Sequence, residues 1–278
     1  MAVQDDGIAV EIIGIAQDAG VPHIGCDCSV CATARTDPSA IRYATAVLLH
    51  AGTSPTDRYL IDATPDIRFQ LDATDVAKLR GIVLTHVHLG HVGGLPQLGT
   101  GALDSDDLAV YCTPSVASYL EENGPYRQLT DRAQIDIHRR SPGESLGLPP
   151  SDLQVVPIQV PHRGDTDTVA LRFSGPKREL LYLSDIDAWT DPARAAVQTA
   201  DVALIDGTFW RKDELDRVDE VPHPAIVESM AQLENASTDI RFIHLNHTNP
   251  ALRPESSERH ELEERGFRVA ERGAVIEL

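Results

Sequence analysis

Three histidines fall within six residues of this chain, in the run Thr85-His86-Val87-His88-Leu89-Gly90-His91-Val92-Gly93-Gly94. They follow an apolar, β-branched stretch at 81–84 that reads as a strand. Alternate residues of an extended segment face the same way, so His86 and His88 can offer imidazoles to one ion. His91 comes three positions later, where the Gly93-Gly94 pair lets the backbone turn closely around such a site. Neutral imidazole is a favoured ligand of zinc and similar first-row ions. A lone histidine on a loop is ordinarily a surface residue. Three at this spacing after a strand point to a metal.

The rest of the chain supplies strands to meet this one. Runs at 8–15, 46–50, 59–61, 81–84, 108–111, 153–160, 169–173, 180–183, 202–205, 241–245 and 267–276 read as strands, and helical spacing falls at 67–79, 114–123, 192–199, 225–235 and 256–265. Hairpin-like groups mix with strand–helix alternation, which favours a mixed α/β sandwich over a doubly wound parallel sheet. The stretch 139–152, rich in Pro, Gly and Ser, reads as a loop. With no repeat and no low-complexity linker, a single domain over residues 1–278 is expected. The candidate ligands sit where strands end: Leu84 leads into His86, Val160 into His162, Leu183 into Asp185, and Phe242 into His244. Ligands in α/β sheets gather outside the carboxyl ends of strands, because rigid strands aim loop side chains at a common point.

A second metal site is suggested by Cys26, Cys28 and Cys31, three of the four cysteines, crowded into six positions. That spacing is too tight for a disulfide framework and suits a thiolate clamp. A closed structural zinc site wants a fourth ligand, for which His23, His223, His247 and Cys112 are the candidates. Cys112 reads as a small buried residue. His23, His50, His138 and His260 show no partner pattern and read as surface or turn residues.

Charge narrows the partners. Forty-three acidic residues against 24 basic ones give a net charge of −19, with only Lys78, Lys177 and Lys212 as lysines. Such a surface repels nucleic acid and anionic membranes and suits solubility in high salt. The first nine residues, with Asp5 and Asp6, lack the basic and apolar regions of a secretory signal, and no run approaches a membrane span. The expected setting is cytoplasmic and the expected partner a small-molecule substrate. A homodimer is left open.

The histidine run resembles the His-x-His-x-Asp-His signature of the metallo-β-lactamase superfamily, with Gly90 where that family has aspartate. Residues 14–35 resemble the N-termini of two of its branches, the pyrroloquinoline quinone biosynthesis protein B group and the cyclic phosphodiesterase of the carbon–phosphorus lyase pathway, and residues 242–250, 257–259 and 273–278 resemble the first of them. The resemblance implies a four-layer αββα sandwich of two mixed β-sheets. It implies a first metal site of His86, His88 and His162, and a second of His91, Asp185 and His244, with Asp185 and His244 in the catalytic centre. It gives Asp62 a supporting role beneath the histidine loop. In the phosphodiesterase branch the fourth ligand of the cysteine site stands three residues after the last active-site histidine, which assigns His247, with His223 as runner-up. Without a carboxylate at position 90 the second site is expected to bind weakly, and Gly90→Asp is expected to tighten it. The cofactors so implied are one structural zinc and one or two catalytic ions, with Mn or Fe also compatible at the catalytic centre.

Three functions fit. The first is a hydrolase of a phosphodiester or other ester, using metal-activated water, with Asp185 handling protons and Arg163 or Arg68 meeting an anionic substrate. The second is a cofactor-maturation enzyme acting on a peptide-derived quinone precursor through oxygen chemistry at ferrous iron, which His86, His88 and His91 with a carboxylate could hold as readily as zinc. The third is a non-catalytic metal-binding protein that kept the fold after losing the signature aspartate.

Overall fold

Strand β2 (Ala46–Ala51) is buried at all six positions, which requires cover on both faces of its sheet. The structure, a computed structural model, describes residues 7–74, 78–149, 153–214 and 221–278. The sheet around β2 also contains β1 (Ile8–Gly14), β3 (Arg58–Ile61), β4 (Gly81–Val83), β5 (Leu108–Cys112), β6 (Ile135–Arg139) and β13 (Val275–Glu277), in the order β13-β1-β2-β3-β4-β5-β6. Pairing is antiparallel from β13 to β3 and parallel from β3 to β6.

A second sheet holds β7 (Gln154–Val160), β8 (Thr168–Ser174), β9 (Glu179–Leu183), β10 (Val202–Asp206), β11 (Asp239–Ile243) and β12 (Arg268–Val269), in the order β12-β11-β10-β9-β8-β7. It is antiparallel from β7 to β9 and parallel onward to β12.

The period-2 alternation of strand side chains sorts the core into layers. Val47, Leu49 and Ile61 pack with Phe173, Leu181 and Leu204 of the other sheet. Leu48, Leu60, Ile82 and Val110 instead meet Val116 and Leu120 of α4 (Pro114–Glu122) and Leu129 of α5 (Gly124–Asp131). The second sheet carries α6 (Asp191–Gln198) and α7 (Ile226–Leu233), whose Val197, Ile226 and Met230 join its core. Two mixed sheets flanked by helices are thus the expected αββα arrangement. Among the described residues no helix is long and apolar enough to cross a membrane.

Several elements differ from the sequence reading. The stretch 267–276 is not one strand: Arg268–Val269 pairs with β11, Val275–Glu277 pairs with β1, and Gly273 at φ +86° turns the chain between the two sheets. Glycine takes that left-handed conformation without steric cost. The helix expected over 67–79 ends earlier, as α2 (Ile67–Ala73), and residues 75–77 lie outside the described residues. So do residues 1–6 of the N-terminal reading and residues 150–152 of the loop. Arg139 at its start is the last residue of β6, and the rest of that loop is irregular, although Leu146 and Leu148 are buried. His50 is a buried residue of β2, with Nε2 3.0 Å from Glu11 Oε2, and not a surface or turn histidine.

Candidate metal centres

The carboxyl ends of β3, β4, β7, β9, β10 and β11 open onto one place and deliver Asp62, His86, His162, Asp185, Asp206 and His244 to it. Asp62 and His244, each one residue past its strand, adopt left-handed φ of +65° and +63°. That conformation costs a non-glycine residue on the order of 1–3 kcal/mol. Here it turns both side chains inward, where each is essentially fully buried. The histidine run bends after His88 into the short helix α3 (Leu89–Val92), which carries His91 back toward His86.

His86, His88 and His162 bring one ligand atom each to within 4.8 Å of the others. Nε2 of His162 lies 3.1 Å from Nδ1 of His88. Two ligands held at about 2.0–2.1 Å by one tetrahedral ion stand about 3.3–3.4 Å apart, so this spacing fits a shared cation. His91, His244 and Asp185 form the adjoining group. Asp185 Oδ2 is 3.3 Å from His91 Nε2, and its Oδ1 is 3.4 Å from His244 Nε2 and 3.7 Å from His162 Nε2. One carboxylate oxygen therefore faces a member of each implied site.

The far side of each ring is tied down. His91 Nδ1 lies 2.8 Å from Asp62 Oδ2, and Thr85, beside His86, donates its hydroxyl and its N–H to the same carboxylate. Thr85 Oγ1 in turn sits 3.0 Å from His86 Nδ1. His162 Nδ1 is 2.8 Å from Asp187 Oδ1, and Thr208 Oγ1, which bonds Asp206, lies 2.9 Å from His244 Nδ1. Such partners fix tautomer and ring orientation. On the open side, Nε2 of His86, Nε2 of His244 and Oδ2 of Asp185 are buried without a hydrogen-bond partner. Leaving buried polar atoms unpaired costs about 1–3 kcal/mol each, which a bound cation removes. The donor set fits a metal.

Charge agrees. Burial holds His86 well below, and His162 below, the usual imidazole value, so both are neutral and able to ligate. Burial lowers His91 too, but the charges of Asp185 and Asp62 outweigh it and raise this histidine to about 10. A proton there is the one a cation displaces.

Two residues of this centre escaped the sequence reading. Asp18, in the turn after β1, places Oδ1 3.6 Å from His244 Nε2 and 3.9 Å from His91 Nε2. His223 groups with His162 and Asp185, its Nδ1 held 2.6 Å from Asp206 Oδ2, so it belongs to this centre and not to the cysteine site. A strand-exit reading extended one residue past 202–205 points to Asp206, and the repeated Val-Pro-His of 160–162 and 221–223 points to His223. No such signal marks Asp18. Arg163 is exposed beside His162, whereas Arg68 lays its guanidinium over the Phe69 ring at 4.4 Å.

The cysteine site assembles separately. Cys31, buried on α1 (Ser29–Thr36), joins Cys26, Cys28 and His247 with all four ligand atoms within 4.8 Å. His247 Nδ1 lies 3.4 Å from Cys26 Sγ and 3.7 Å from Cys28 Sγ, close to the about 3.5 Å of a tetrahedral zinc with one nitrogen and three sulfurs. Arg35 donates to the carbonyls of Cys26 and His23, which holds the loop shut. Burial pushes the Cys31 thiol up to about 12, a penalty on the thiolate that a cation reverses. His223 and Cys112 take no part; Cys112 is buried on β5.

Comparison with known proteins agrees with this architecture. The Beta-lactamase superfamily domain matches residues 57–272. The coenzyme PQQ synthesis protein B of Nitrosococcus oceani is 30% identical, over 97% of this chain and 99% of its own length. The crystal structure of Zn(2+)-bound PqqB from Methylobacterium extorquens superposes with a TM-score of 0.83 at 25% identity, covering 97% of this chain and 100% of that one. A diphosphatase from the PhnP family shares the fold, with a TM-score of 0.73 at 24% identity over 97% of this chain and 96% of its own. A chain with this sandwich, these histidines and carboxylates at its strand ends and relatives matched along its whole length belongs to the metallo-β-lactamase superfamily and is similar throughout to the coenzyme PQQ synthesis protein B proteins.

Proposed function

We propose that the protein is a metal-dependent hydrolase of a phosphodiester or another ester, working at the centre built by His86, His88 and His162. The observation that carries this reading is the convergence of those three imidazoles, with His86 Nε2 buried and unpartnered among them. His86, His88 and His162 would hold a divalent ion, zinc by the donor set, which when bound would supply polarisation of a substrate oxygen and a water of pKa about 7. The protein's own groups do the rest. Asp185, its Oδ2 without a hydrogen bond, accepts a proton from the attacking water. Thr85 and Asp187 keep the His86 and His162 rings aimed inward. His88 is the half-buried member of the triad, with Nε2 3.4 Å from the exposed Asp165, so substrate enters on that side, where Arg163 is the nearby cation.

Full-length similarity to the coenzyme PQQ synthesis protein B proteins favours one alternative, a cofactor-maturation step on a quinone precursor with iron at the same centre. Against the non-catalytic reading, which rests on the missing signature aspartate, stands the carboxylate of Asp18, whose Oδ1 lies beside Gly90. The test is cleavage of bis(p-nitrophenyl) phosphate by protein loaded with zinc or manganese, with His88→Ala as control. Metal-dependent turnover lost in His88→Ala supports the hydrolase; absence of turnover with metal-dependent oxygen uptake on iron loading overturns it in favour of the alternative.

A further inference from the structure

A side chain at the signature position would collide with the loop after β1, because the space beside Gly90 is already taken. A Cβ built on Gly90 falls 2.0 Å from Oδ1 of Asp18, 2.7 Å from its Cγ and 2.8 Å from its Cα. The loop after β1 therefore lies so close to the histidine run that a Cβ at position 90 would force it to shift, and the group it puts there is a carboxylate.

That loop is pinned at both ends. Ala16 bridges Ala44 on one side and Leu245 on the other, Leu245 donates its N–H to Ile15 O, and Gln17 donates its N–H to Leu245 O. A turn closed by Gly20 N–H on Gln17 O then presents Asp18. Because Leu245 follows His244 directly, the backbone that fixes Asp18 also fixes the neighbouring ligand. The oxygen so delivered is 3.6 Å from His244 Nε2 and 3.9 Å from His91 Nε2, and the three ligand atoms lie within 4.8 Å of one another. His244 Nε2 has no hydrogen-bond partner.

We propose that Asp18 is a metal ligand that replaces the absent signature aspartate from a different segment of the chain, completing with His91, His244 and the shared carboxylate of Asp185 a second divalent-cation site beside the first. The assignment rests on the reading of this centre as metal-binding. It predicts a two-ion centre where the histidine run alone suggests one. The carboxylate and the glycine belong together: an aspartate at position 90 and one at position 18 claim the same volume.

The test counts metal in the full-length protein after zinc loading and gel filtration, with the cysteine site as the internal folding standard. Wild type is expected to hold two equivalents beyond that site, Asp18→Asn one, His88→Ala one, and Asp18→Asn/His88→Ala none. Competition with a chromophoric chelator should show the second ion weakened by Asp18→Asn by more than the about 10–100-fold that loss of an outer partner costs. Gly90→Asp should lose metal rather than gain it. Unchanged stoichiometry and affinity in Asp18→Asn, with the cysteine site still filled, overturn the proposal, as does tighter binding in Gly90→Asp. These counts need no turnover, so an inactive protein with the predicted metal content refutes only the hydrolase reading.

Discussion

His162 Nε2 and His88 Nδ1 face each other 3.1 Å apart although they arrive from different sheets. Neither nitrogen needs the other as a partner if both point at one cation, and their second nitrogens are already engaged by Asp187 and Asp165. Replacing either ring opens the centre. His162→Ala is expected to lower kcat/KM on a diester substrate by at least about a hundredfold while changing thermal stability little, read by initial rates and a melting curve on the same preparation.

Asp62 serves two histidines at once, accepting from Thr85 and holding His91 at 2.8 Å, and Tyr182 donates to it at 3.3 Å. Asp62→Asn keeps the shape but cannot accept from all of these donors. Metal affinity at the catalytic centre should fall about 10–100-fold, measured by chelator competition, with the cysteine site unaffected.

The cysteine site ties residues 26–31 to His247, which follows β11 closely in sequence. Cys31→Ser, or removal of this zinc by a strong chelator, should lower the melting temperature in the same direction as any loss of a structural ion that binds only the folded chain. Equal melting curves for the zinc-loaded and fully stripped proteins contradict a structural role.

Gly90→Ala adds one methyl against Asp18 Oδ1 at 2.0 Å and its Cα at 2.8 Å. Overpacking of this kind costs about 1–3 kcal/mol, to be read as a lower denaturant midpoint with an unchanged slope. A neutral result means the loop after β1 yields freely.

Much of this was legible in the sequence because strands and metal ligands follow local rules. Alternation and β-branching located β2, β5, β8 and β10, and strand ends pointed to His86, His162, Asp185 and His244. Only the family resemblance singled out His247, which the fold sets beside the three cysteines, and gave Asp62 its supporting role, where its carboxylate meets His91 and Thr85. What stayed hidden depends on contacts between distant segments. Asp18 looks like any turn aspartate until the chain folds and sets it against Gly90. The edge strand β6 is short and alternates Ile135 and Ile137 with Asp136 and His138, and α5 opens with Gly124-Pro125, which reads as a turn. One expected strand split in two because a glycine at positive φ hands the chain from one sheet to the other.

The account rests on cations held by side chains from separate strand ends, and anomalous diffraction at the zinc edge from crystals of the zinc-loaded protein tests it most directly. The expected map shows one peak about 2.0–2.2 Å from His86 Nε2, His88 Nδ1 and His162 Nε2, a second bonded to Asp18, His91 and His244, and a third among Cys26, Cys28, Cys31 and His247. A map with density at the cysteines alone, and none among the histidines, contradicts it.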